Sequence, residues 1–219
     1  MSNILQIAFT TEGSTDERFL GTIIEKTFES LLFDSATEIE IHSPVPVSAT
    51  GQSFSDKIKL IAVTYNYFHV ICVHCDSDFK SDNEVLSRKI NPAFELVNKT
   101  DRACKNLVAV IPIQMTEAWM LADIDLFLAE INTDKSCTEL DLPCKASQIE
   151  SIADPKTRIQ KALLKAQRKK SRRRSKLKIS DLYTPLSQNL KQQELEQLPS
   201  FKTFKKAARE SLVRLNYLQ

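Results

Sequence analysis

Four acidic residues stand where this chain could do chemistry: Glu12, Asp76, Asp78 and Glu117. Each comes just after a short apolar run. Residues 4–9 (Ile-Leu-Gln-Ile-Ala-Phe) lead into Thr10-Thr11-Glu12-Gly13, residues 70–75 stop on Asp76-Ser77-Asp78, and residues 107–113 are soon followed by Thr116-Glu117. Runs of that length bounded by polar sequence read as buried strands. In an open α/β sheet, ligands sit beyond the carboxyl ends of the strands. If these strands are parallel, all four carboxylates project from one rim. Like charges gathered there raise one another's pKa, and a hard divalent cation relieves the repulsion. Magnesium prefers carboxylate oxygens and keeps several waters. A lone Asp-Ser-Asp is often no more than a turn with helix-capping acids, and a lone Glu at a strand end is usually solvated. The coincidence on successive strands is what favours a metal site.

The elements that must position these acids follow from periodicity. After Glu12, Ser14-Thr15-Asp16-Glu17 has the form of a capping box, with Ser14 as N-cap and Glu17 reaching back. Gly13 lets the backbone turn there. Phe19, Leu20, Ile23, Ile24, Thr27, Phe28, Leu31 and Leu32 then repeat at helical spacing. Residues 39–47 alternate, but Pro44 and Pro46 push them towards a sheet edge. A helix is expected over 55–66, then the Asp76/Asp78 strand, then mostly helix over 82–99, with Pro92 beginning a second piece. Thr116 is expected to cap a helix running from Glu117 through Leu121, Ile124, Phe127 and Leu128. Residues 132–151 look irregular. Asp154-Pro155 reads as an N-cap with proline at the first helical position, and helices over 180–190 and 200–217 complete the chain. The β-α-β-α-β-α-β-α order predicts an α/β fold of Rossmann-like type: a mostly parallel sheet, helices on both faces and a helical C-terminal extension. The α/β domain is drawn over 1–131 and the extension over 132–219, packed on the same core.

Composition narrows the function classes. Hydrophobic content of 42% and charged content of 26% are ordinary for a soluble globular protein. Three glycines in 219 residues leave glycine-rich phosphate loops poorly supported. No apolar run approaches the ~20 residues that span a bilayer. Met1-Ser2-Asn3 does not open a signal peptide, so the expected location is cytoplasmic. The five cysteines (Cys72, Cys75, Cys104, Cys137, Cys144) are scattered and odd in number, as in a reducing compartment. Cys72-Val73-His74-Cys75 suggests zinc, but on a strand Cys75 faces away from Cys72 and His74, and no second ligand pair has matching spacing. His74 itself is expected on the packing side of its strand, Trp119 and Met120 in the core, and Asp123 as a solvated or capping acid.

Charge is uneven. Nine basic and no acidic residues lie between Lys165 and Lys178, including Arg168, Lys169, Lys170, Arg172, Arg173 and Arg174. Taking these nine from the net +2 leaves −7 on the rest of the chain. The tract has the composition of a sequence-independent, salt-sensitive phosphate contact, or of a solvated linker. No aromatic residue interleaves it, so base stacking is not its method.

Glu12 after the first strand, with Asp76-Ser77-Asp78 after a later one, resembles the glutamate and Asp-x-Asp signature of TOPRIM domains. Those occur in topoisomerases, primases and the overcoming-lysogenisation-defect nucleases. Thr11-Glu12-Gly13-Ser14-Thr15-Asp16-Glu17, Glu117-Ala118-Trp119-Met120-Leu121-Ala122-Asp123 and Pro199-Ser200-Phe201-Lys202-Thr203-Phe204 are similar to small stand-alone TOPRIM-like proteins of bacterial defence loci. The basic tract departs from the family's pattern. The resemblance implies a magnesium-dependent nuclease, with manganese able to substitute, that cuts DNA or RNA. Asp76 and Asp78 would bind the ion, Glu12 would share it or act as general acid/base, and Glu117 would help hold a second ion. It also implies an antiviral setting with an ATPase partner, and it is compatible with a homo-oligomer and with no membrane. Two rivals remain: a non-catalytic TOPRIM-like binding or assembly subunit, and another magnesium enzyme on a doubly wound sheet. An aspartyl-phosphate phosphatase would want its Asp-x-Asp after the first strand, where Glu12 stands.

Overall fold

A computed structural model describes residues 3–33, 35, 38–77, 82–167 and 177–219. The chain opens with β1 (Asn3–Leu5) and β2 (Ile7–Thr10), separated at Gln6, whose amide donates to His69 Nδ1 at 2.9 Å. Next come α1 (Ser14–Leu32), β3 (Ile39–Ile41), β4 (Val45–Pro46), α2 (Phe54–Thr64) and β5 (Val70–His74). Asp82–Val85 forms α3, a π-type turn covers Leu86–Ile90, and α4 (Asn91–Asn98) restarts with proline in its first turn. Beyond β6 (Leu107–Val110) lie α5 (Thr116–Met120), α6 (Ile124–Glu130), α7 (Pro155–Gln167), α8 (Tyr183–Asn189), α9 (Gln192–Leu195) and α10 (Pro199–Arg214), with short 3-10 turns at Ala146–Ser151 and Ile179–Asp181.

Four strands pair in the order β4-β2-β5-β6, all parallel, while β1 and β3 form a separate parallel pair. The fold is therefore α/β, with parallel sheets surrounded by helices and a helical C-terminal part. The proline-bearing β4 lies at the sheet edge, where a missing N–H costs no ladder bond. Successive residues of β5 point to opposite faces. Val70 and Cys72 enter a core built with α1, α5, α6, α7, α8 and α10; Ile71, Val73 and then Cys75 enter a second core built with α2 and α4. The first core draws residues from both sides of position 131. Gly21 permits that packing: a Cβ there would stand 3.2 Å from the Phe9 ring, so α1 lies directly on β2.

The centre of the first core is aromatic. Trp119, Phe201 and Phe204 are fully buried, with ring centroids 5.3 to 6.0 Å apart. Buried aromatics of this size each remove about 150–250 Å² from water. The Trp119 indole N–H donates to Ser200 Oγ at 2.7 Å, and the Ser200 amide and hydroxyl both reach Glu150 Oε1. Two short sequence islands far apart in the chain thus meet as one packed, fully satisfied unit.

Several local expectations are corrected. The Ser14/Glu17 capping box does not form: α1 begins after Gly13, whose backbone is extended (φ −139°) and makes no side-chain cap. Thr116 is not an N-cap either. Met115 holds that place, and Thr116 opens the helix. The helix expected to run on from Glu117 breaks after Met120, and Asp123 caps a new one by accepting the Leu126 amide at 2.9 Å. Cys137 and Cys144 are joined in a disulfide, so they are not scattered thiols; Cys72, Cys75 and Cys104 are free and buried. Among the described residues, no helix is long and apolar enough to cross a membrane.

Candidate functional site

Beyond the ends of β5 and β6, acidic side chains crowd against the first core. His74 is the last residue of β5, and its side chain follows that of Cys72 onto this face. Its Nε2 lies 3.1 Å from Asp76 Oδ1 and 3.3 Å from Thr116 Oγ1. The Thr116 amide also donates to Asp76 Oδ1, at 3.2 Å. The helix that follows the next strand, α5, supplies Glu117, 3% exposed, whose Oε1 accepts from the Tyr183 hydroxyl at 2.6 Å and stands 3.4 Å from Lys156 Nζ. Asp16, in the first turn of α1, is buried among the same groups. A Cβ on residue 13 would stand 3.2 Å from Asp16 Oδ2, so glycine there leaves room for this carboxylate.

The electrostatics follow from that crowding. Burial pushes the Asp16 carboxyl above its ordinary value, and the charges of Asp76 and Glu117 push it further. His74 and a hydrogen bond from Thr116 oppose the rise. Burial also holds the Tyr183 phenol well above its usual range, reinforced by the bond to Glu117 and by its charge, so Tyr183 remains a donor. Between β6 and α5, buried Gln114 sits at φ 69°, a left-handed backbone that an ordinary side chain adopts at a cost. Such strain persists where the surroundings hold it in place, often at functional sites. Here it sets the turn that brings Thr116 and Glu117 back towards β5.

The family described as a domain of unknown function (DUF4276) has a model that matches residues 11–207. The chain belongs to this family. No curated protein and no solved structure matches. The region shared with the DUF4276 family takes in Glu12, Asp16, His74, Asp76, Glu117, Lys156 and Tyr183, and so includes every group of the cluster.

Glu12 occupies different surroundings within the DUF4276 region. It is exposed at the end of β2, and its Oε1 accepts from Cys75 Sγ at 3.3 Å. Lys89 Nζ lies 3.6 Å from the same sulfur. Cys75 belongs to the second core, on the opposite face from His74. Its thiol is pushed up to about 12, first by burial, then by the charge and hydrogen bond of Glu12, with Lys89 opposing. Asp76 and Glu117 share the His74 face, and Glu12 contacts the thiol beyond the strand's other face. Asp78 lies outside the described residues, as do Arg168, Lys169, Lys170, Arg172, Arg173 and Arg174.

The donors match a hard cation in kind: Asp16, Asp76 and Glu117 present carboxylate oxygens, which suit magnesium or manganese. Among the described residues, no group of three or more His, Cys, Asp or Glu stands close enough to hold a metal ion. Sequence reasoning missed Asp16, His74, Thr116, Lys156 and Tyr183 as members of this cluster. One signal for Asp16 was present, since it lies on the same helical stripe as Phe19, Leu20 and Ile23 and so had to face the sheet. Lys156 and Tyr183 carried no such signal, because only tertiary packing returns the C-terminal part to β6.

Proposed function

We propose that this chain is a metal-dependent nuclease of TOPRIM type that hydrolyses phosphodiester bonds of DNA or RNA with magnesium, for which manganese substitutes. The observation that carries the reading is the gathering of Asp16, Asp76 and Glu117 beyond the ends of adjacent parallel strands, where burial first, and then the charges of Asp76 and Glu117, raise the Asp16 carboxyl above its ordinary value. Asp76, Asp78 and Glu117 would hold the ion. A bound divalent ion supplies charge stabilisation at phosphate oxygens and acidifies a coordinated water. Glu12, exposed at the neighbouring strand end, is the candidate to share the ion or to move a proton at the leaving oxygen. His74 and Thr116 orient Asp76 through its Oδ1. The basic residues Arg168, Lys169, Lys170, Arg172, Arg173 and Arg174 would bind phosphates along the polymer. The resemblance to TOPRIM-like proteins of defence loci supports a setting in antiviral defence, with an ATPase partner that restrains or triggers cleavage.

The test is cleavage of supercoiled plasmid and of bulk transfer RNA with magnesium or manganese, comparing wild type with Asp76→Asn/Asp78→Asn. Metal-dependent cleavage that the double substitution abolishes supports the reading and names the polymer. Cleavage that survives the substitution removes the site assignment. One observation favours a second reading, a non-catalytic nucleic-acid-binding or assembly subunit. One oxygen each of Asp76 and Glu117 is already engaged by protein groups, as in a structural network. That reading requires nucleic-acid retention that survives both EDTA and Asp76→Ala.

A further inference from the structure

β3 is the outer strand of the parallel β1–β3 pair, and among the described residues no other strand pairs with it. The His42 amide donates to Leu5 O at 3.1 Å, so the backbone groups of Glu40 and His42 point towards β1. By alternation, the N–H and C=O of Ile39 and Ile41 point away from β1, at an open edge. Such an edge is a template for another chain unless something blocks it. Pro46 guards β4, since it offers no N–H, but no proline interrupts Ile39–Ile41.

The side chains of this edge divide by face. Ile39 and Ile41 pack on the first core. Glu40 and His42 stand exposed on the other face, 3.7 Å apart. That order is self-complementary. Let a second β3 lie antiparallel to the first, about a two-fold axis through Ile41. The two Ile41 residues then exchange backbone hydrogen bonds through their outward groups. Glu40 of each copy falls opposite His42 of the other, at the closer, non-hydrogen-bonded spacing where cross-strand charges interact. Centring the axis on Glu40 or on His42 instead would set like side chains face to face. The charges therefore select the register that the backbone permits. We propose that the exposed edge of β3 is a homodimer interface, at which a second copy of this chain adds its own β3 antiparallel about Ile41. The contact is isologous, with each Glu40–His42 pair between copies repeated by the two-fold. It stands independently of the nuclease reading.

The experiment is sedimentation velocity of the full chain over a concentration series, at about pH 6, where histidine is largely charged. Wild type is compared with Glu40→Lys, with His42→Glu, and with an equimolar mixture of the two variants. Both positions are exposed, and thermal unfolding reports whether each variant folds. Wild type is expected to pass from monomer to dimer as concentration rises. Each variant alone sets like charges opposite one another and should dimerise at least about tenfold more weakly. The mixture should recover the dimer, because positions 40 and 42 then carry opposite charges in both pairs of the mixed species. A wild type that stays monomeric overturns the proposal, as do single variants that dimerise like wild type. A mixture no more dimeric than its components also overturns it, since general damage to the fold is not rescued by mixing. If either variant does not fold, the wild type in high salt decides. Screening should weaken its dimer, and a dimer that salt leaves unchanged overturns the pairing.

Discussion

His74 and Cys75 are neighbours in the chain, yet they face two different chemical environments. On the His74 side, Asp16, Asp76, Thr116, Glu117, Tyr183 and Lys156 form a dense polar cluster against an aromatic core. On the Cys75 side stand one buried thiol, the exposed Glu12 and Lys89, beside a core of aliphatic residues from α2 and α4. The difference comes from the alternation of side chains along a strand, carried past its last hydrogen bond. On the first face burial raises the proton affinity of Asp16, and the charges of Asp76 and Glu117 add to the rise. Glu12 keeps its water.

The sharpest way to break the comparison is to neutralise one acid on each side. Asp76→Asn is expected to lower both manganese affinity and cleavage by more than about 10²-fold, beyond the usual cost of an outer-shell change. Glu12→Gln should lower cleavage by about 10²- to 10⁴-fold as a lost proton-transfer group, while manganese affinity stays within a few-fold of wild type. Equal loss of manganese binding in both variants would place Glu12 in the same coordination sphere and erase the distinction.

The support beneath the first face is tested next. Trp119→Ala should destabilise the chain by about 3–5 kcal/mol in urea unfolding. Ser200→Ala, which leaves the indole N–H and Glu150 without their shared partner, should cost about 1–3 kcal/mol. A smaller effect from Trp119→Ala than from Ser200→Ala would contradict the aromatic packing as the main support of this face.

Asp16 provides a pH test. Its folded-state pKa is raised above 3.8, chiefly by burial, so the folded state holds the proton to higher pH than the unfolded chain. Stability therefore falls as pH rises from the ordinary aspartate range through the raised value, and the loss is complete above it. Asp16→Asn should be more stable than wild type at pH 7, with the difference shrinking towards pH 4 in parallel urea titrations. A difference that instead grows on acidification would reverse the assignment.

The smallest expected effect is on the other face. With its pKa pushed up to about 12, Cys75 exposes little thiolate at pH 8. Its alkylation by iodoacetamide should stay slow in the folded chain and quicken in denaturant. Rapid alkylation in the native state would mean that the second face is more open than the Cys75–Glu12 contact implies.

Much of the fold was legible before any coordinates. The alternating apolar runs and helical stripes place β2, α1, α2, β5 and β6 within a few residues, the paired prolines mark the edge strand, and Asp154-Pro155 starts α7 as expected, with Asp154 accepting the Thr157 amide at 2.8 Å. Local capping was less legible. Ser14 and Thr116 have the right side chains for caps, but Gly13 and Met115 hold the cap positions because packing on the sheet selects where each helix turns.

The sequence by itself determined which acids follow which strands, and that Cys72 and Cys75 part to opposite faces, because strand periodicity is a local property. Only the tertiary structure decided that Asp76 and Glu117 share a cluster with Asp16 and His74 while Glu12 turns to Cys75. The same long-range packing brings Tyr183 and Lys156 back from the C-terminal part onto Glu117. Those outcomes depend on contacts between residues far apart in the chain, brought together as two separate cores are buried on the two faces of the sheet. No local pattern encodes them.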